Sequence, residues 1–105
     1  TGSLGEEGPH LLEELMGDLE VEVPGQLGAI EEAVDRGDAA TVRRISHTLK
    51  STAALFGGMR LSGTMRTIEA LALDGRVEEV RPLLVRARDE YGMFIERLNA
   101  RRTQR

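Results

Sequence analysis

The sequence predicts an all-α fold, an antiparallel up-and-down four-helix bundle with an additional short N-terminal helix. Three observations predict it. Apolar residues recur at three- and four-residue spacing along most of the chain. Aromatic residues are only 3% of the chain (Phe56, Tyr91, Phe94), so Leu, Val, Ile, Ala and Met must fill the core, which favours helices over sheets. Short turn signals separate the amphipathic stretches, and short connections set successive helices side by side in opposite directions. No strand-like alternation competes, and no internal repeat is visible.

The elements follow in order. Residues 1–8 are rich in Gly and Glu and are expected to be disordered; Thr1-Gly2-Ser3 is compatible with a cloning remnant. From Pro9, Leu11, Leu12, Leu15, Met16 and Leu19 recur at helical spacing, and Pro9 suits a first helical turn. Val23-Pro24-Gly25 interrupts that pattern, although Pro24 could equally open the next helix. A second segment carries Leu27, Ile30 and Val34 and ends near Arg36-Gly37. Asp38 is a good N-cap for a third helix over about residues 39–56, which Gly57-Gly58 stops. A fourth helix spans about residues 59–73, with Leu61, Met65, Ile68 and Leu71 or Ala72 inside, before the Asp74-Gly75 turn. The last helix carries Val80, Leu83, Leu84, Ala87, Tyr91, Phe94, Ile95 and Leu98. Its start is expected between Val77 and Glu79, because Pro82 is harmless in a first turn, where its missing N–H had no partner. The domain therefore spans 9–101, and residues 102–105 form a basic tail.

Composition narrows the function. A chain of 105 residues makes one domain and one core, with little room for a deep substrate pocket. Hydrophobic residues at 40% and charged residues at 30% mark it as soluble and globular. With no cysteine, disulfides and thiolate metal sites are excluded, and a reducing compartment such as the cytoplasm is compatible. The net charge of −4 argues against general nucleic-acid binding, and the Arg101-Arg102-Thr103-Gln104-Arg105 end reads as a solvated terminus. No apolar run approaches the roughly 18–20 residues needed to cross a membrane, and no signal-peptide pattern is visible. A monomer is the default.

The third helix carries the chemistry. At about 100° per residue, Val42, Ile45, Leu49, Thr52, Ala53 and Phe56 cluster on one side. His47 falls almost opposite the centre of that stripe, on the outward face. Arg43 lies one turn before it and Arg44 beside it; Lys50 and Ser51 lie one turn after, and Ala54 two turns after. No carboxylate stands three or four residues away on this helix. A nearby Asp or Glu would repel an incoming phosphoryl group, and none is expected at the ring. A neutral imidazole nitrogen is a competent nucleophile. Lys50 and Arg43 could stabilise the charge of a phosphorylated ring, and small Ser51 and Ala54 leave room for another protein's active site. The bland alternative is a solvated surface histidine between ordinary cations.

The run His47-Thr48-Leu49-Lys50-Ser51-Thr52-Ala53-Ala54-Leu55-Phe56-Gly57-Gly58 resembles the signature of histidine phosphotransfer (HPt) domains of two-component phosphorelays. Asp38-Ala39-Ala40 is similar to the family's turn before this helix, and Ile68-Glu69 to its apolar–Glu pair in the next. The resemblance covers about residues 10–98. It implies that His47 is the phosphoacceptor, at Nε2, that Lys50 is the stabilising cation, that Ser51 is the small residue and that Gly57 ends the helix. Arg43, Arg44, Ser51 and Ala54 would form the docking surface around His47. Two departures are minor: Asn is common where Ala54 stands, and Pro82 is unusual in the last helix.

The resemblance also implies a carrier rather than an enzyme. Response-regulator receiver domains, and a hybrid histidine kinase, would be the partners. Mg²⁺ and the catalytic groups would lie on the receiver, and the chain would need no cofactor of its own. The chain would be cytoplasmic, alone or as a domain of a membrane-anchored sensor kinase. An apolar docking patch should flank His47, with Leu12, Leu15, Met16 and Met59 as candidates, each of which also reads as core.

Rival readings remain open. One is the phosphotransfer domain of a chemotaxis-type histidine kinase, phosphorylated by the kinase's own ATP-binding domain. Another is a helical interaction module without phosphoryl chemistry. His10, Glu13 and Glu14 have a spacing that could hold a metal, but such groups near a helix end arise readily by chance. Gly57, Gly58 and Gly63 lack the Gly-Lys-Ser/Thr of a phosphate loop. Glu69 reads as part of a solvated face, or as a buried or partner-binding carboxylate.

Overall fold

The computed structural model describes the backbone of residues 3–103 and the side chains of residue 14 and residues 17–101. The described residues are helical throughout apart from turns. Helix α1 spans Ser3–Asp35, α2 Ala39–Leu55, α3 Met59–Leu73 and α4 Arg81–Thr103, with one 3₁₀ turn at Val77–Val80 before α4.

Helix α1 corrects the expected N-terminal arrangement. A short additional helix followed by a break at Val23-Pro24-Gly25 is replaced by one continuous helix. It takes in residues 3–8, which composition assigned to a disordered lead. The reason is the core stripe. Leu19, Val23, Leu27, Ile30 and Val34 are all buried, at spacings of four, four, three and four, so the stripe passes straight through Pro24. An internal proline costs a helix about 3 kcal/mol, whereas each large aliphatic side chain contributes roughly 1.5–3 kcal/mol on burial. Pro24 itself is exposed, so water can reach the Glu20 carbonyl that loses its partner. Pro24→Ala should therefore stabilise the fold by about 1–2 kcal/mol and raise the melting temperature by several degrees. A lower melting temperature would mean that the helix needs Pro24.

Helix α2 forms where its caps place it. Asp38 accepts from the Thr41 N–H at 3.1 Å and from the Thr41 hydroxyl at 2.7 Å. At the other end Gly57 has φ +84°, a conformation that costs a residue with a Cβ roughly 1–2 kcal/mol. There the Gly58 N–H donates to Ala53 O at 2.7 Å and the Gly57 N–H to Ala54 O at 3.1 Å. The same pair of bonds ends α1 at Gly37 and α3 at Gly75. Gly58 meets a second demand, because a Cβ there would stand 3.1 Å from the Phe94 ring of α4.

Pro82 lies in the first turn of α4, after the 3₁₀ turn. Val77 and Val80 of that turn are buried in the core.

All four helices contribute to one hydrophobic core. The closest association is between α2 and α3. Ser62 bonds to Lys50 and Glu69 to His47, so numbers rise along α3 as they fall along α2. Helices α1 and α4 pair in the same sense through Asp35–Arg81, Glu31–Arg88 and Leu19–Tyr91. Among the described residues no helix is long and apolar enough to cross a membrane.

Candidate functional site

The buried face of α2 comprises Val42, Ile45, Ser46, Leu49 and Ala53. Thr52 and Phe56, expected in that stripe, are only partly buried. Ser46 is fully buried and was not expected there. Its hydroxyl donates to Val42 O at 2.8 Å, so the polar atom is satisfied within the helix. With that face fixed against the core, His47 points outward, its side chain 63% exposed.

Helix α3 brings the residue that sequence spacing did not reveal. Glu69 extends one carboxylate oxygen to His47 Nδ1 and the other to Lys50 Nζ, each at 2.7 Å. The expectation that no carboxylate stands near the ring is thus corrected. Spacing along α2 reveals only α2's own neighbours, whereas Glu69 arrives from 22 residues away. A solvated face does not describe Glu69 either, since its side chain is only 20% exposed. The one signal in the sequence was the Ile68-Glu69 pair, where buried Ile68 anchors α3 and turns its neighbour toward α2. Buried Ser62, two turns earlier on α3, donates its hydroxyl to Lys50 O at 2.9 Å. That bond helps fix the register that brings Glu69 to the ring.

The electrostatics of this trio define its protonation. Chiefly the Lys50 ammonium, and then the His47 ring, hold Glu69 below the usual carboxylate range, against the opposing effect of burial. An ionised carboxylate only accepts, so His47 Nδ1 carries the hydrogen and donates it. In the neutral ring, Nε2 then holds the lone pair.

A pH prediction follows. Because folding depresses the Glu69 pKa, its stabilising contribution is full above the ordinary value of 4.5 and is lost as pH falls through the folded value. Glu69→Gln should cost about 1 kcal/mol or less at neutral pH, and the difference should shrink below pH 4.5. Denaturant melts of both proteins at neutral and acid pH check it. A difference that persists unchanged in acid would contradict the charge assignment.

Around the trio, Arg43, Arg44, Ser51 and Ala54 are all exposed, on the side of α2 that carries His47. The Ser51 hydroxyl donates weakly to His47 O at 3.4 Å. Gly57 lies at the helix end, as the sequence implies. A concavity of about 610 Å³ opens beside His47, lined chiefly by Arg43, Arg44, Thr41, Thr48 and Glu69. Of the proposed apolar docking residues, Met59 is 66% exposed rather than core. Leu12, Leu15 and Met16 lie outside the residues whose side chains are described, as do His10 and Glu13 of the metal spacing. Among the described residues no cluster of three His, Cys, Asp or Glu could hold a metal ion. Exposed Leu55, which the sequence did not single out, is 79% accessible near the Gly57-Gly58 turn.

Comparison with curated proteins and with solved structures gives no match for the chain. The family model of the Hpt domain matches residues 14–101, a span that contains all four core-forming helix faces and every residue of the His47 trio. Fold, site and family match agree, and the chain belongs to the Hpt domain family.

Proposed function

We propose that the chain is a phosphorelay carrier that accepts a phosphoryl group on His47 Nε2 from a phospho-aspartyl receiver domain and passes it to a second receiver. The observation that carries this reading is the exposed imidazole whose Nδ1 is held by Glu69. That bond sets the tautomer and frees Nε2 for attack.

In the forward step the Nε2 lone pair attacks phosphorus. A P–N bond forms as the P–O bond to the receiver's aspartate breaks, and the aspartate leaves as a carboxylate. Positive charge develops on the ring as its lone pair is used. Glu69, an anion on Nδ1, stabilises that charge and holds the ring in place. It lies across the ring from the phosphoryl group, so it supports the step rather than repelling the donor. Lys50 keeps Glu69 ionised and oriented.

The remaining chemistry falls to the partner. The receiver supplies Mg²⁺ and the groups that stabilise the leaving aspartate, and the chain acts as carrier rather than enzyme. Exposed Ser51 and Ala54 give clearance for the receiver on one side of the ring, while Leu55 and Met59 offer it apolar contact. The opposed pairing of α2 with α3 and of α1 with α4 supports an antiparallel up-and-down bundle, and a monomer suffices to present this face. A hybrid histidine kinase is a natural source of the donor receiver.

The test is direct. Incubated with a phosphorylated receiver, the chain should acquire phosphate that is labile in acid and stable in base. Failure to label with several receivers, in protein that is shown to be folded, would favour a helical interaction module.

A further inference from the structure

We propose that Arg43 and Arg44 hold the phosphoryl oxygens of phospho-His47, and that Lys50 acts on the ring through Glu69 rather than on the phosphoryl group itself. The inference rests on the reading of His47 as phosphoacceptor. It reassigns the cation that a one-helix view gives to Lys50.

The first observation is where the cations are committed. Lys50 Nζ sits 2.7 Å from a Glu69 oxygen, with its side chain only 26% exposed. Arg36, Arg76, Arg81, Arg86 and Arg88 each have a carboxylate partner as well. Arg43 and Arg44 have none among the described residues, and both are exposed; Arg60, Arg66 and Arg97 have none either, but they do not line the concavity beside His47. Their guanidinium groups are solvated, charged and free to take an anion.

The second observation is the concavity beside the ring. It is lined on the α2 side by residues at or before position 48, which include Arg43 and Arg44 but not Lys50. Its other polar groups are poor candidates. The Thr41 hydroxyl already donates to Asp38, and the Thr48 hydroxyl to Arg44 O. Glu69 is an ionised carboxylate already bonded to His47 and Lys50 and has no hydrogen to donate to a phosphoryl oxygen. The two guanidinium groups are therefore the available donors beside His47, three and four residues before it on the same helix face.

Charge balance agrees. Neutral His47, anionic Glu69 and cationic Lys50 sum to zero. The phosphoryl group carries roughly −1.5 to −2 near neutral pH and the ring, which keeps its Nδ1 proton, gains about +1, so the site gains net negative charge that unpaired guanidinium groups beside it can balance. Planar guanidinium donors also suit phosphoryl oxygens better than an ammonium already shared with a carboxylate.

The experiment follows the second ionisation of the phosphoryl group by ³¹P NMR on the chain phosphorylated by a receiver. Two adjacent cations favour the dianion and hold this ionisation low. The double variant Arg43→Gln/Arg44→Gln should raise its midpoint by about one pH unit. Lys50→Gln should slow labelling, through misplacement of Glu69, yet leave the midpoint where it was. A midpoint unmoved in the double variant overturns the inference, as does an equal rise in Lys50→Gln. If the unsubstituted chain takes up no phosphate at all, the relay reading fails first and this inference falls with it.

Discussion

Replacing His47 with Gln should abolish phosphoryl uptake and leave the fold standing. The side chain is 63% exposed and lies opposite the buried face of α2, so its loss opens no cavity. Exposed substitutions of this kind change stability by about 0.5 kcal/mol or less. A glutamine amide could still reach Glu69, but its nitrogen lone pair is delocalised and does not attack phosphorus. Helical circular dichroism and the melting temperature should match the unsubstituted chain while labelling is absent. Labelling that persists would identify a different acceptor.

Replacing Glu69 should produce the second-largest effect. Glu69→Ala removes the anchor of the ring, the bias toward an Nε2 lone pair and the counter-charge for the developing imidazolium. Carboxylates that orient a metal-bound histidine through its other ring nitrogen are worth about 10–100-fold, and a slowing of similar size is expected here in stopped-flow transfer from a phosphorylated receiver. Glu69→Gln keeps an acceptor oxygen and loses the charge, so it should fall between Ala and the native residue. Lys50→Ala should slow transfer without unfolding the domain, because it releases one of the two bonds that hold Glu69. Glu69→Ala with an unchanged rate would remove this carboxylate from the mechanism.

The sequence was most legible where local rules decide structure. Asp38 as a cap and Gly57 as a stop bounded α2 to within a residue, and the start of α3 at Met59 followed. Pro82 correctly pointed to a first turn, although α4 starts at Arg81, after a 3₁₀ turn over Val77–Val80, rather than between Val77 and Glu79. His47 was placed outward from the phase of the core stripe alone. Legibility ended where a distant contact outweighs a local rule. Pro24 reads as a break, yet five buried aliphatic residues in register carry α1 through it. Ser46 reads as surface, yet it is buried because its hydroxyl bonds to its own helix. Glu69 reads as one more acid on a polar face, because the register between α2 and α3 cannot be computed from spacing within either one. Ser62 and Ile68 set that register, and only the packed pair shows what it brings together.

The Glu69 contact also separates the cations around His47. One helix viewed alone offers Lys50 and Arg43 as equivalent neighbours of the ring. The packed pair separates them: Lys50 is bound to a carboxylate, whereas Arg43 faces an open concavity. On the assignment proposed above, the commitment of each charge, rather than its proximity in sequence, sets its role.

The most direct measurement is the position of the phosphate itself. The chain should be phosphorylated by a receiver and the modified ring nitrogen assigned by heteronuclear NMR. A single phosphate on Nε2 of His47 is expected, because Glu69 occupies Nδ1. Phosphate on Nδ1, on another residue, or on none would contradict it.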